Sequence, residues 1–364
     1  MIKKNEKAEV REPRTKRDLS ADEEELLKFL EQSQARIVVA GTGGSGCNTL
    51  SRMQDVGIKS VQPIAFNTDA QCLLYTKASR KILLGKRLTR GLGAGSDPEV
   101  GEAAAKESVE DIRESLEGAD MVFVTCGLGG GTGTGSAHII AKVAKDMGAL
   151  TVGVVTLPFT SEGPIRMENA LKGLAKLRKE ADTIIVIPNN RVLNMVPDLP
   201  LNTAFKIADE VLTNAVRGIT ELITKPGLVN LDFADLRTIL KSGGCAMMGY
   251  GEAASEGKGK ERALEAVDAA LDSPLLDVDV STGTRALVNV TGGPDMTLGE
   301  AELVVEEIGR RIDKNAHIIW GAVIEPEMAN NAMRVLTVIS GAKMPDYKVE
   351  VLPDSTELDL DYAV

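Results

Sequence analysis

Seven residues, Gly129-Gly130-Gly131-Thr132-Gly133-Thr134-Gly135, hold five glycines and two small hydroxyls. An apolar run, Asp120 to Cys126, leads in, and a helix-like run, Ser136 to Ala144, follows. Strand, glycine loop and helix in that order aim backbone N–H groups and the positive end of a helix dipole at one point, which is how phosphate is bound. Glycine suits the loop because it accepts φ > 0 and lets a ligand approach the backbone closely. Two more glycine-rich stretches stand upstream, Gly41 to Asn48 and Gly91 to Pro98. The first fits G-x-G-x-x-G, which alone is weak support for a dinucleotide site. A dinucleotide has a single pyrophosphate and does not need three such loops, whereas a nucleoside triphosphate can use them all. The chain has no G-x-x-x-x-G-K-[ST], so this is not a Walker-type P-loop. None of the three stretches contains Lys or Arg. Phosphate charge would then be met by backbone N–H groups, helix dipoles and a bound Mg²⁺.

The elements that must hold these loops follow from hydrophobic period. Strands are expected at Ala35–Ala40, Val61–Phe66, Asp120–Cys126, Leu150–Leu157 and Thr183–Ile187, with helices at Thr49–Val56, Glu99–Leu116, Ser136–Ala144 and Ile165–Lys179. Strands alternating with helices through short loops predict a parallel sheet covered on both faces. Residues 201–225 break the rhythm: apolar residues from Ala204 to Ile223 recur at helical spacing, with Asn202 as a cap and Pro226-Gly227 as the stop. About 24 residues at 1.5 Å each give a helix of roughly 36 Å, longer than a crossover needs. A second domain, about 230–350, alternates further helices and strands without a phosphate-type glycine loop. Ahead of the body, residues 1–35 form a polar extension with a short helix at Ala21–Glu31, and an acidic tail closes the chain.

Composition narrows the function. The 364 residues are 43% hydrophobic and 26% charged, an ordinary globular balance. A net charge of −11 and only 3% aromatics argue against nucleic-acid partners. No apolar run approaches the roughly 18 residues of a membrane span, so direct membrane insertion is not expected. The cysteines Cys47, Cys72, Cys126 and Cys245 form no C-x-x-C pair and read as reduced residues of a cytoplasmic protein. Two isolated histidines, His138 and His317, make a zinc site or a histidine-based triad improbable.

The glycine run closely resembles the signature of the tubulin/FtsZ GTPase superfamily. Beside it stand Gly91–Gly101, Thr156–Gly163, Ile187–Arg191 and Asn230–Arg237, and together they look like the FtsZ branch rather than tubulin over about 36–340. The resemblance implies a Rossmann-like parallel-sheet GTP-binding domain (36–200), a central connecting helix (201–227), a smaller C-terminal GTPase-activating α/β domain with a mixed sheet (228–350) and a tail (351–364). It implies GTP/GDP and Mg²⁺ as ligands. Gly44, Ser45, Gly46, Cys47 and Asn48 would line the first phosphate loop; most members carry glycine where Ser45 and Cys47 stand. Ala70, Gly95 and Ser96 would lie near the γ-phosphate, and Gly130, Gly131, Thr132, Gly133, Thr134 and Gly135 would hold the β- and α-phosphates. Glu162 and Arg166 match residues that contact ribose and phosphate; by spacing alone they make an i,i+4 surface ion pair. Asn189 would contact guanine and Phe205 would stack on it. Asp209, one turn on, would accept from guanine N1 and N2. Asn230, Asp232 and Asp235 match the catalytic loop, although Asp232 is equally the natural cap of a helix from Phe233.

Geometry adds one point to the resemblance. If Phe205 touches the base, the long helix carries Asp232 roughly 30 Å away, beyond reach of the same nucleotide. It can serve only the nucleotide of a second copy stacked head to tail, a contact that builds filaments. The resemblance further implies assembly into a division ring in the cytoplasm at midcell, with membrane anchors or regulators as partners. The runner-up is a dinucleotide-dependent oxidoreductase, which lacks a ribose acid in place. A non-catalytic filament protein is a third class, opposed by the intact Asp232 and Asp235.

Overall fold

Four strands of the N-terminal half are buried along almost their whole length: β1 (Ile37–Thr42), β4 (Met121–Gly127), β5 (Leu150–Leu157) and β6 (Thr183–Pro188). Such continuous apolar runs are what a parallel sheet covered on both faces requires. With β2 (Gln62–Asn67) and β3 (Arg80–Leu83) they pair in parallel in the order 3-2-1-4-5-6. The computed structural model describes residues 35–58, 60–195, 201–225, 227–229, 231–241, 244–254, 259–276 and 279–343. The expected N-terminal helix, Pro226, Asn230 and the acidic tail lie outside the described residues.

The sheet continues without a break. β7 (Gly244–Ala254) pairs in parallel with β6 over Thr183–Ile185, and β10 (Ala332–Ser340) then runs antiparallel between β7 and β8 (Arg285–Gly292). β9 (His317–Ile324) closes the edge in parallel with β8. The fold is therefore α/β, with a parallel N-terminal part and a mixed C-terminal part on one ten-stranded sheet.

Helices cover both faces. α1 (Gly43–Asp55), α8 (Leu201–Thr224) and α9 (Phe233–Leu240) pack on one side, where Leu50, Met53, Leu212, Val216, Ile219 and Leu236 meet Ile37, Val39 and Val154. α3 (Pro98–Glu107), α4 (Val109–Leu116), α5 (Thr132–Asp146), α6 (Pro164–Glu180), α10 (Lys260–Leu271) and α11 (Leu298–Arg311) cover the other. α8 is the long helix expected from its spacing; it begins at Leu201, so Asn202 lies inside it rather than capping it.

Other sequence expectations need correction too. The single helix over Glu99–Leu116 is broken at Ser108 (φ −105°, ψ 19°), because its Oγ leaves the helix to accept from the Gly85 N–H at 2.9 Å. Two short helices were not foreseen, α2 (Ala70–Tyr75) and α7 (Asn189–Met195). α2 had a readable signal in Asp69, which caps it by accepting from the Gln71 and Cys72 N–H groups at 2.8 and 3.0 Å.

Candidate functional site

The strand order reverses direction between β1 and β4, and in open α/β sheets the crevice at that switch lies beyond the strands' carboxyl ends. Both strands run into helices there. β1 passes into α1 at Gly43 (φ +71°), and β4 reaches α5 through Leu128–Gly131. The glycine runs are thus not whole loops: their second halves form the first turns of α1 and α5. Neither helix has a side-chain cap at its N-terminus, on Thr42 or on Gly131. In each, the first-turn N–H groups are left for something else.

Buried hydroxyls hold these junctions rigid. Ser136 Oγ donates to the Thr132 carbonyl at 2.6 Å, so Thr42 Oγ1 donates to Ser136 Oγ at 2.5 Å. Thr68 and Thr132 share a 2.6 Å hydroxyl bond, tying the end of β2 to α5. Thr134 Oγ1 accepts from the Gly129 N–H at 2.8 Å and closes the loop on itself.

A cavity of about 230 Å³ opens at the junction. Its walls include Gly44 and Ser45 from α1, Ser96 from the loop before α3, and Gly130, Gly131, Thr132 and Gly133 from the β4–α5 turn. Glu162, Arg166, Asn189, Phe205 and Asp209 line its remaining side. Twelve of the residues singled out from sequence therefore share one cavity. Gly43, Ala94, Gly127, Leu128, Thr156, Pro158 and Ala208 complete it; most flank residues already singled out, which was the available signal.

The remaining candidates do not line the cavity. A Cβ on Gly46 would sit 2.5 Å from the Thr125 carbonyl, and one on Gly135 2.2 Å from that of Pro98, so both glycines serve close backbone packing. The Cys47 side chain is buried in the core beneath α1, and Asn48 is exposed. The Ala70 N–H donates to the Gly91 carbonyl at 3.0 Å. Gly95 (φ +59°) sits beside Ser96, a serine held at φ +63°, a backbone conformation L-residues adopt at a cost. In contrast, a Cβ on Gly44, Gly95 or Gly130 would meet nothing within 4 Å. At Gly44 and Gly130, where φ is also ordinary, neither protein contact nor backbone conformation accounts for glycine.

The other end of the cavity is polar and incompletely satisfied. Asn189 is buried and its Oδ1 has no partner. Phe205 is 39% exposed and meets buried Phe159 edge-on, centroids 5.0 Å apart at 85°. The Asp209 carboxylate accepts from Thr49 Oγ1 at 3.4 Å, but that hydroxyl lies nearer the Ser45 carbonyl, at 3.1 Å, and has one proton to give. Burial pushes the Asp209 carboxyl up to about 6, against weaker opposing pulls from Thr49 and the Arg52 charge. Glu162 and Arg166 form the ion pair their spacing allows, at 3.0 Å, and Glu162 Oε1 also accepts from the Phe159 N–H at 2.9 Å.

Asp232 and Asp235 lie outside the cavity. Asp232 Oδ1 caps α9 by accepting from the Asp235 N–H at 2.7 Å, as its sequence position suggests, and both residues are exposed. The segment just before them is tied to β9 by the Leu228 N–H on the Ala322 carbonyl at 2.8 Å. From Phe205 to Thr224, α8 rises roughly 28 Å, so the acids and the cavity stand at its opposite ends.

Comparison with known proteins assigns the family. The Tubulin/FtsZ family GTPase domain matches residues 36–197, and the FtsZ family C-terminal domain matches residues 244–343. The chain is 58% identical over 323 residues to Cell division protein FtsZ 1 of Archaeoglobus fulgidus, covering 89% of this chain and 86% of that protein. It is 58% identical over 322 residues to Cell division protein FtsZ 1 of Pyrococcus furiosus, covering 88% and 85%. The solved FtsZ dimer of M. jannaschii superimposes with a TM-score of 0.84 at 55% identity, covering 89% of this chain and 93% of that one. Most of the cavity at the strand-order switch, with both uncapped glycine-rich helix starts, thus lies within the residues that match the GTPase domain, and the chain belongs to the FtsZ family of cell-division GTPases.

Proposed function

We propose that the cavity binds GTP and that hydrolysis is completed by a second copy stacked head to tail, so that the protein is a polymerising GTPase of the division ring. The observation that carries this reading is the separation along α8. Phe205 and Asp209 line the cavity near its start, while Asp232 and Asp235 follow its far end. Carboxylates roughly 28 Å from a nucleotide cannot orient water on it. In a head-to-tail stack the same carboxylates meet the cavity of the next subunit, and a contact of that type propagates.

The chain's own groups supply the remaining roles. The first-turn N–H groups of α1 and α5 donate to the phosphates, and the two helix dipoles stabilise their charge. Gly44 and Gly130 leave the space a phosphate needs. The Asp209 carboxylate accepts from guanine N1–H and N2–H, which adenine cannot offer together. Asn189, with its unpartnered Oδ1, completes the contact with the base edge, and Phe205 stacks on its face. Glu162 and Arg166 hold ribose and phosphate. Asp235 and Asp232, with Asn230 joining them on resemblance alone, orient the attacking water. Mg²⁺ would bind the phosphate oxygens, which supply its hard oxygen donors, and would neutralise charge developing on the leaving phosphate. The ring places the protein in the cytoplasm at midcell, where membrane anchors or regulators would hold it. No helix among the described residues is long and apolar enough to cross a membrane.

Light scattering and phosphate release, measured with GTP, ATP and NAD over a range of protein concentrations, test this reading. Assembly should require GTP, and hydrolysis should rise more than linearly with protein. Equal phosphate release per molecule at high dilution would sink the shared site. Asp235→Ala should abolish turnover while GTP binding survives; lost binding would put that residue in the wrong site.

A further inference from the structure

One short turn joins the residues at the polar end of the cavity. β5 stops at Leu157, Pro158 lines the cavity, and the chain then folds so that the Glu162 N–H donates to the Phe159 carbonyl at 3.0 Å. The Phe159 ring, 1% exposed, meets Phe205 edge-on. The Phe159 N–H holds Glu162 Oε1 at 2.9 Å, which leaves Oε2 for Arg166. Thr160 is gripped at two points by the Asn190 carboxamide: its N–H donates to Oδ1 at 3.0 Å, and its Oγ1 accepts from Nδ2 at 2.5 Å. We propose that Phe159 and Asn190 are positioning residues for the guanine nucleotide: Phe159 sets the plane of Phe205, and Asn190 sets Asn189 at the base edge. This deepens the reading of the cavity as the GTP site and rests on it.

A ring as exposed as Phe205 turns about its side-chain bonds unless a neighbour fixes it, and fixing it at the moment of binding costs affinity. Phe159 removes that cost in advance. Its own ring is sealed in the protein and cannot give way. Perpendicular rings attract through the positive edge of one and the negative face of the other, and this pair holds that geometry at 5.0 Å and 85°. Phe205 keeps its exposed side for a base.

Asn189 and Asn190 open α7 side by side, yet their side chains go different ways. Asn189 is buried, lines the cavity and has an unpartnered Oδ1, whereas Asn190 turns back to Thr160. Successive helix residues point about 100° apart, so anchoring one fixes the direction of the next. The ladder between β5 and β6 ends at Leu157 and Pro188, and the Asn190 bonds carry the connection past it. A carboxamide suits that place because it offers one acceptor and one donor to the donor and acceptor of Thr160.

The test measures GDP and ADP affinity of the full chain under conditions where circular dichroism shows each variant folded. Wild type should prefer GDP by about tenfold or more. Asn190→Ala should cut that preference by about fivefold, because Asn189 is no longer held at the guanine edge. Asn190→Asp keeps both bonds, since the Thr160 hydroxyl can turn to donate, and should keep the wild-type preference; its added charge acts on both nucleotides and cancels in the ratio. Phe159→Leu should weaken GDP and ADP alike by about threefold to tenfold, and should weaken neither further in a Phe205→Leu background. Should Phe159→Leu fail to fold, Phe159→Met carries the same expectation. Losses that add in the double variant would make Phe159 a core residue only. An unchanged preference in Asn190→Ala, or a preference lost equally in Asn190→Asp, would reduce Asn190 to a brace of the turn. A wild-type chain that binds GDP and ADP equally, or binds neither, would overturn the guanine site itself, whereas a wild-type preference that survives in the variants overturns only the positioning roles.

Discussion

The molecule ends β4 and β8 in similar ways and uses them oppositely. Each strand runs into glycines, Gly127 to Gly131 after β4 and Gly292-Gly293 after β8, and then into a helix N-terminus. After β8 the helix is sealed by the protein itself. Thr297 Oγ1 accepts from the Glu300 N–H at 3.3 Å, and the Glu300 carboxylate accepts from the Thr297 N–H at 2.8 Å, a reciprocal cap. Buried Arg262 clamps that carboxylate with two bonds of 2.7 and 2.9 Å and adds Asp295 at 2.7 Å. The negative charge that a helix dipole attracts is already built in. After β4 there is no cap and no carboxylate at the helix start, only a cavity. The glycines agree: a Cβ on Gly292 would strike Met296 at 2.5 Å, whereas one on Gly130 would strike nothing. A glycine run after a strand is therefore ambiguous until its helix start is inspected; the uncapped one leaves its first-turn N–H groups open to an anion from outside.

The sharpest way to break this contrast is to add side chains to both glycines. Gly130→Val should fold normally yet lose GTP affinity by about a hundredfold or more, the worth of two or so lost backbone hydrogen bonds at roughly 1.5 kcal/mol each. Gly292→Val should do the reverse, costing about 1–3 kcal/mol of stability through overpacking while the folded fraction binds GTP normally. Thermal melts and nucleotide titrations of the two variants decide the matter. Loss of stability in Gly130→Val with intact binding would make that glycine a packing residue and dissolve the distinction.

The sequence carried much of the pocket and less of its surroundings. The three glycine stretches, the alternation of elements and the 24-residue α8 were readable because each rests on local pattern: buried β-branched runs, glycine spacing, helical period. Asp232 as a cap was equally local. What was not readable depended on contacts between distant segments. The break at Ser108 needs the Gly85 N–H, 23 residues away, and the Asn67 contact with Cys47 Sγ needs the end of β2 laid against α1. Gly46 and Gly135 looked like phosphate-loop residues, yet each abuts backbone from another element, and spacing cannot separate that use from ligand approach. Phe205, Asp209 and Asn189 carried no pattern of their own; resemblance alone singled them out, and the cavity brings them together.

The second test works on the sealed side. Glu300→Ala removes the carboxylate that both caps α11 and meets Arg262 at two nitrogens, leaving a buried guanidinium with Asp295 as its remaining anion. Breaking a buried pair this way costs about 3 kcal/mol. Urea denaturation should show that loss, and GTP affinity under folded conditions should not change. A drop in affinity matching the drop in stability would mean that the two helix starts are coupled rather than independent.

The smallest effect expected is a pH dependence on the open side alone. In the free protein the Asp209 carboxyl is raised from 3.8 to about 6 by burial. For the free fold the sign is that of a raised acid: its stabilising contribution is complete below the unfolded value and is lost as pH rises through about 6. If guanine meets Asp209 as proposed, it reverses the preference, since its N1–H and N2–H donate to the ionised carboxylate and pull the bound-state value down. GDP affinity should therefore be flat above about pH 6 and fall by up to tenfold per pH unit below it. The phosphates titrate in the same range, so the same curve must be taken with Asp209→Asn, which shares them. The carboxamide offers the base one acceptor and an unwanted donor, and its affinity should be low at every pH with only the phosphate slope remaining. The difference between the curves isolates the carboxylate. If the two run parallel, Asp209 does not meet the base, and guanine must be recognised from the Asn189 side of the cavity.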